Sequence, residues 1–183
     1  MNVFTQKQRA AMAIGCLAVG CSVAAHALDN DGCTNETLRG DYALRVSGQV
    51  FNELGAVVAQ RDGIDMVEYD GAGHLTQKDF VFANGVLVQG PKDSTGFHID
   101  ESGTYTVNPD CTGSASLQFP SPAAGMAGAK IEVMFVLSDH GRTMHQIVSS
   151  LQPPGPVGGQ VAVPANIHAD GEKLGSVGWN HDD

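Results

Sequence analysis

From Asp41 the chain alternates. Tyr42, Leu44 and Val46 fall on one side of a two-residue period, and Asp41, Ala43, Arg45 and Ser47 fall on the other, the pattern of a half-buried strand. Similar short runs follow, each bounded by turn chemistry. Val57-Val58-Ala59 is one, and residues 64–69 lead through Asp70-Gly71-Ala72-Gly73 into residues 75–82. Asn84-Gly85, the preferred dipeptide of a two-residue type I′ turn, joins Phe80-Val81-Phe82 to Val86-Leu87-Val88. Thr104-Tyr105-Thr106-Val107 turns at Asn108-Pro109-Asp110 into residues 114–119, and residues 131–137 turn at Asp139-His140-Gly141-Arg142 into residues 144–151. Helical periodicity is nearly absent, with room for one helical turn before Leu38, capped by Thr34. Sequential hairpins at this spacing predict an all-β, antiparallel up-and-down meander of about eight strands. Such a meander closes into a β-barrel because closure removes its edges.

Two segments interrupt this rhythm. Residues 120–129 are small and apolar, with Pro120, Pro122, Gly125, Met126 and Gly128, and residues 152–159 are dominated by Pro and Gly. Either can roof a barrel mouth, although connections of this composition more often only link strands. The stretch after Val161 is expected to add one or two strands, with Trp179 covering apolar surface and the end beyond residue 180 frayed.

The N-terminus reads differently. Lys7 and Arg9 precede an uncharged apolar run from Ala10 to Ala25, and Ala25-His26-Ala27 follows, the order of a secretory signal peptide cleaved after Ala27. A competing reading takes Leu17-Ala18-Val19-Gly20-Cys21 as a lipobox acylated at Cys21. The expected division is a signal peptide over residues 1–27 and one barrel domain over 28–183. The localisation implied is periplasmic or extracellular, with no transmembrane segment in the mature chain. Cys33 and Cys111 are the pair left after cleavage, and an even pair in an exported protein predicts a disulfide. The full chain has 10 Lys+Arg and 20 Asp+Glu, a formal charge of −10. Loss of Lys7 and Arg9 makes the balance more acidic still, which argues against a nucleic-acid partner.

At Leu38-Arg39-Gly40-Asp41-Tyr42 a helical turn precedes Gly-x-aromatic at the head of the first strand, and a second Gly-x-aromatic occurs at Gly103-Thr104-Tyr105. With Tyr69-Asp70-Gly71-Ala72-Gly73 and Ser138-Asp139-His140-Gly141-Arg142, this resembles small exported bacterial barrels near the lipocalin (calycin) and allene-oxide-cyclase/dirigent groups. The first aromatic of lipocalins is usually Trp, where this chain has Tyr42. The resemblance implies a lumen that holds one small apolar molecule or shapes a reactive apolar intermediate.

Catalytic and cofactor motifs are sparse. The chain has no Gly-x-Ser-x-Gly, His-Glu-x-x-His or P-loop, and Cys-x-x-Cys is missing too. Asp70-Gly71-Ala72-Gly73-His74 lacks the successive acids of an EF-hand, and the scattered histidines show no zinc spacing, so neither a metal nor a cofactor is expected. Charges inside apolar strands carry more information. Glu132 shares a face with Met134 and Val136, and Glu68 shares one with Ile64 and Met66. If those faces line a lumen, Glu68 or Glu132 is a candidate general base, with Tyr42, Arg45 or His145 orienting a substrate or ligand. If they face solvent, as strand alternation normally arranges, they carry no chemistry. Three functions follow: a barrel that binds a small apolar ligand, a cyclase, isomerase or lyase in the same lumen, or a filled barrel with an interaction role.

Overall fold

The structure, a computed structural model, describes residues 32–175. The signal-peptide reading, the Cys21 alternative, Trp179 and the terminal residues lie outside the described residues. A 3-10 turn (Asn35–Leu38) leads into β1 (Gly40–Phe51), β2 (Val57–Tyr69), β3 (His74–Ala83), the two-residue β4 (Val86–Leu87) and β5 (His98–Val107). Next come β6 (Thr112–Gln118), β7 (Met126–Ala127), β8 (Lys130–Ser138), β9 (Thr143–Gln152), β10 (Gly155–Pro156) and β11 (Ala165–Lys173). Every long strand pairs antiparallel with its neighbour, and β1 pairs with both β2 and β11. The additional β2–β3 pairing closes the sheet into an eight-stranded barrel, with β4 as an extra strand on β3. The expected meander is thus present, and the segment after Val161 supplies its closing strand, β11.

The two ends differ. Tight turns join the strands at the base, as at residues 70–73, 108–111 and 139–142, whereas the longer connections 52–56, 84–97, 119–129 and 153–164 all lie at the opposite rim. The base is packed solid. Leu38 and Tyr42 are fully buried, and Tyr42, Tyr69 and Tyr105 meet edge to face at 5.4 and 5.0 Å between ring centres. Such contacts add about 0.5–1.5 kcal/mol each beyond the area they bury. The Tyr42 hydroxyl donates to the Gly141 carbonyl, which ties β1 to the β8–β9 turn. The 3-10 turn is the plug beneath this core: Asn35 Oδ1 accepts the Val107 N–H at 2.8 Å, and the Tyr105 hydroxyl donates to the Asn35 carbonyl at 3.1 Å. The Cys33–Cys111 disulfide anchors the plug to the β5–β6 turn. With its ends 78 positions apart in sequence, the loop it closes corresponds to about 4 kcal/mol of unfolded-state entropy.

The two Pro/Gly-rich segments do more than link strands. β7 and β10, one from each, pair with one another as a separate two-stranded ribbon. Gln160 Nε2 donates to the Gly128 carbonyl at 2.7 Å and the Pro153 carbonyl at 2.9 Å, fastening the two loops together.

Candidate functional site

Above the tyrosine core the barrel is not filled. A cavity of about 350 Å³ runs from the middle of the lumen to the paired loops. One wall is apolar: Leu117, Ile131, Val133, Val148 and Ile167 project from β6, β8, β9 and β11, and Phe119, Pro120 and Pro154 descend from the roof. The opposite wall, formed by β2, β3 and β5, carries Arg61, Asp65, Gln77, Asp79, His98 and Glu101. Four of these six are almost wholly buried, with Asp65 8% exposed, Asp79 5%, His98 3% and Glu101 2%.

Register explains how acids came to line the interior. In β2, Val67 and Tyr69 belong to the base core, and burying an aromatic ring decides the phase of a strand whose other face offers Val58, Ile64 and Met66. With a period of two, that choice carries Asp65 inward and leaves Ile64 51% exposed. Asp65 lies opposite Asp79 on β3, and Asp79 lies opposite His98 on β5. Gln77 stands opposite Glu101.

His98 and Glu101 are three residues apart, so an unbroken strand would aim them to opposite faces. Between them the β3–β5 register shifts: two residues on β3 span three on β5. The shift is a β-bulge with Asp100 at φ +67°, the left-handed region, and it reverses the phase of the strand so that both side chains enter the lumen. The connection 84–97 completes the placement. Asn84 and Gly85 take φ +52° and +78°, as the type I′ turn requires, and the Val88 N–H donates to Val81. The Val88 carbonyl is thereby held 2.9 Å from His98 Nε2. Gly90 covers the imidazole so closely that a Cβ there would lie 3.2 Å from His98 Cδ2.

A carbonyl only accepts, so Nε2 carries the proton of that hydrogen bond, and Nδ1 faces Asp79 Oδ1 at 2.7 Å. Burial pushes the Glu101 carboxyl up to about 9, aided by the nearby charges of Asp79 and Asp65. Burial likewise holds Asp65 well above the usual carboxylate range, with Asp79 adding to it. Asp79 is raised by burial and drawn back by its bond to His98, and burial lowers Arg61. Among the described residues, Asp65 Oδ1 and Glu101 Oε2 are buried with no hydrogen-bond partner. Leaving such an atom unsatisfied costs about 1–3 kcal/mol.

The residues singled out by strand alternation lie elsewhere. Glu68 is exposed on the outer face of β2. Glu132 is on the outer face of β8, where it pairs with Lys130 at 2.7 Å and accepts from Ser116. Phe135 and Leu137 fix the inward phase of β8 by their burial, which turns Glu132, Met134 and Val136 outward. Arg45 is exposed, and His145 binds Asp170 at 2.6 Å on the outer surface. Tyr42 is inside the barrel but in the solid base, where burial raises its hydroxyl to about 12. The structure brings none of the five to the cavity wall. Strand alternation missed Asp65, Asp79, His98 and Glu101; the available signal was an acid at both Asp65 and Asp79 inside runs that also carry Val67, Tyr69, Phe80 and Val81.

Among the described residues no helix is long and apolar enough to cross a membrane. No family model matches this chain, and no curated protein matches it significantly.

Proposed function

We propose that this protein is an exported barrel that binds one small, largely apolar molecule in the upper half of its lumen, with a polar end of that molecule directed at the Asp65–Glu101 wall. The observation that carries this reading is the cavity itself. At about 350 Å³ it falls within the range of roughly 300–1,000 Å³ typical of small-molecule pockets, and it combines a continuous apolar wall with a few convergent polar groups. A solid base beneath an open upper lumen argues against a wholly filled barrel. The Cys33–Cys111 disulfide and the signal-like N-terminus support export. The helical turn and Gly-x-aromatic start, with their resemblance to calycin-type barrels, agree with a lumenal ligand.

Conversion of the bound molecule by a cyclase, isomerase or lyase step is a second reading. It is favoured by one feature, the hydrogen-bonded Asp79–His98 pair open to the cavity. Both readings share the first test, native mass spectrometry of protein purified from its exported form, followed by solvent extraction. The expected result is a chain beginning after Ala27, with the disulfide intact and a stoichiometric apolar adduct. A chain retaining residues 1–27 and no adduct after expression in any exporting host counts against both export and the ligand.

A further inference from the structure

We infer that Asp79, His98 and Glu101 form a binding centre for one divalent transition-metal ion, with a coordination position open to the cavity. The three offer donor atoms that all lie within 4.8 Å of one another, one from β3 and two from β5. Two donors bound to one zinc-sized ion at about 2.0–2.1 Å stand roughly 3.0–3.4 Å apart. His98 Nδ1 and Asp79 Oδ1, at 2.7 Å, are already close to that bite, and a Glu101 carboxylate oxygen lies within 4.8 Å of a ligand atom of each.

Three further features point the same way. First, His98 is oriented as a ligand is oriented. Its Nε2–H is spent on the Val88 carbonyl, which fixes the tautomer and leaves Nδ1 facing the carboxylates, the arrangement that outer hydrogen bonds impose on metal-binding imidazoles. Second, among the described residues Glu101, 2% exposed, has its Oε2 buried without a partner, and Asp65, 8% exposed, has its Oδ1 partnerless beside it. Among the described residues nothing satisfies either oxygen, and a cation at the centre would stabilise both. Third, the bulge at Asp100 exists at the cost of a left-handed backbone on a non-glycine residue, and its effect is to bring His98 and Glu101 to the same face. A wall of three carboxyls opposed only by His98 and Arg61 favours added positive charge.

One imidazole with carboxylates suits zinc, manganese, iron(II) or cobalt better than calcium or magnesium, which prefer all-oxygen sites, or copper(I), which prefers sulfur. Three protein ligands leave room for a water or for an oxygen of the lumenal molecule. Metal binding at this centre does not require that molecule.

The test uses the full chain, stripped with a chelator and then titrated with Co²⁺ and, separately, Zn²⁺. The expected result is one ion per chain, with visible d–d absorption from bound Co²⁺ and an affinity that falls about 100-fold or more in Glu101→Gln and in His98→Gln. Glu101→Gln keeps the volume and removes the charge, so it carries the test if His98→Gln does not fold. Saturable Co²⁺ binding lost in Glu101→Gln supports the centre. No uptake by the stripped wild-type chain, or equal uptake by wild type and both folded variants, overturns it, the latter by placing the metal at exposed histidines such as His74 or His145. Binding of a neutral apolar dye to the same stripped protein is measured in parallel. Its retention without metal uptake removes the metal centre and leaves the ligand reading standing.

Discussion

Single residues divide between those that hold the barrel and those that face its cavity, and Tyr42 shows the difference. Its position at the head of the first strand made it a candidate for ligand contact, yet its ring packs on Tyr69 and its hydroxyl donates to Gly141 at the base. Tyr42→Phe leaves the Gly141 carbonyl without that donor, so a loss of about 1 kcal/mol in denaturant unfolding is expected. Lumenal dye affinity should stay within a factor of about two, because Tyr42 is outside the cavity lining. Asp70 makes a pH-dependent contribution. Backbone N–H bonds from His74, Ala72 and Gly73 hold its carboxyl below the usual carboxylate range. A depressed carboxyl contributes stability above its unfolded pKa and loses it as pH falls through the folded value. The stability gap between wild type and Asp70→Asn, measured by urea titration, should therefore narrow from neutral pH to about pH 3. A gap that stays constant would show that the turn does not favour the charged form.

At the scale of elements, strand existence and order were legible in the sequence, and strand phase was legible only where one face is plainly apolar, as in β1 with Tyr42 and Leu44. Alternating runs and turn dipeptides such as Asn84-Gly85 located the hairpins because those signals are local. Phase is decided by competition between faces. In β2 and β8 both faces carry apolar residues, and only tertiary packing shows that Tyr69 and Phe135 take the interior. The chemistry was hidden for a second reason. His98 and Glu101 reach one face through a bulge that breaks the very period used to read strands. Asp100 is the hinge of that break. Asp100→Gly relieves the left-handed backbone and should leave stability unchanged or improved by a few tenths of a kcal/mol, whereas Asp100→Val should cost about 1–3 kcal/mol. Deleting Asp100 restores an even register, turns either His98 or Glu101 outward, and should abolish whatever the polar wall binds. Chemical denaturation and dye titration of the three variants check this. Equal stability of Asp100→Gly and Asp100→Val would contradict the assigned backbone.

Across the whole molecule the barrel is built in two storeys. The lower, with the 3-10 plug, the tyrosines and the Cys33–Cys111 bond, provides stability, and the upper provides space. Long connections gather only at the upper rim, where two of them pair through β7 and β10 and are fastened by Gln160. That division separates the proposed binding space above from the folding core below, so a change in the upper lumen is expected to leave the base intact. The most direct test of the ligand-binding account is titration of the disulfide-bonded protein with N-phenyl-1-naphthylamine, a neutral apolar dye, in wild type and in Val148→Trp. Val148 lines the apolar wall, and an indole there would project into the cavity and obstruct the space beside Ile131 and Ile167. Saturable binding of one dye per wild-type chain is expected, lost in a Val148→Trp protein that keeps its β-sheet circular dichroism. Equal binding by both folded proteins would put the dye on the outer surface and contradict a lumenal site.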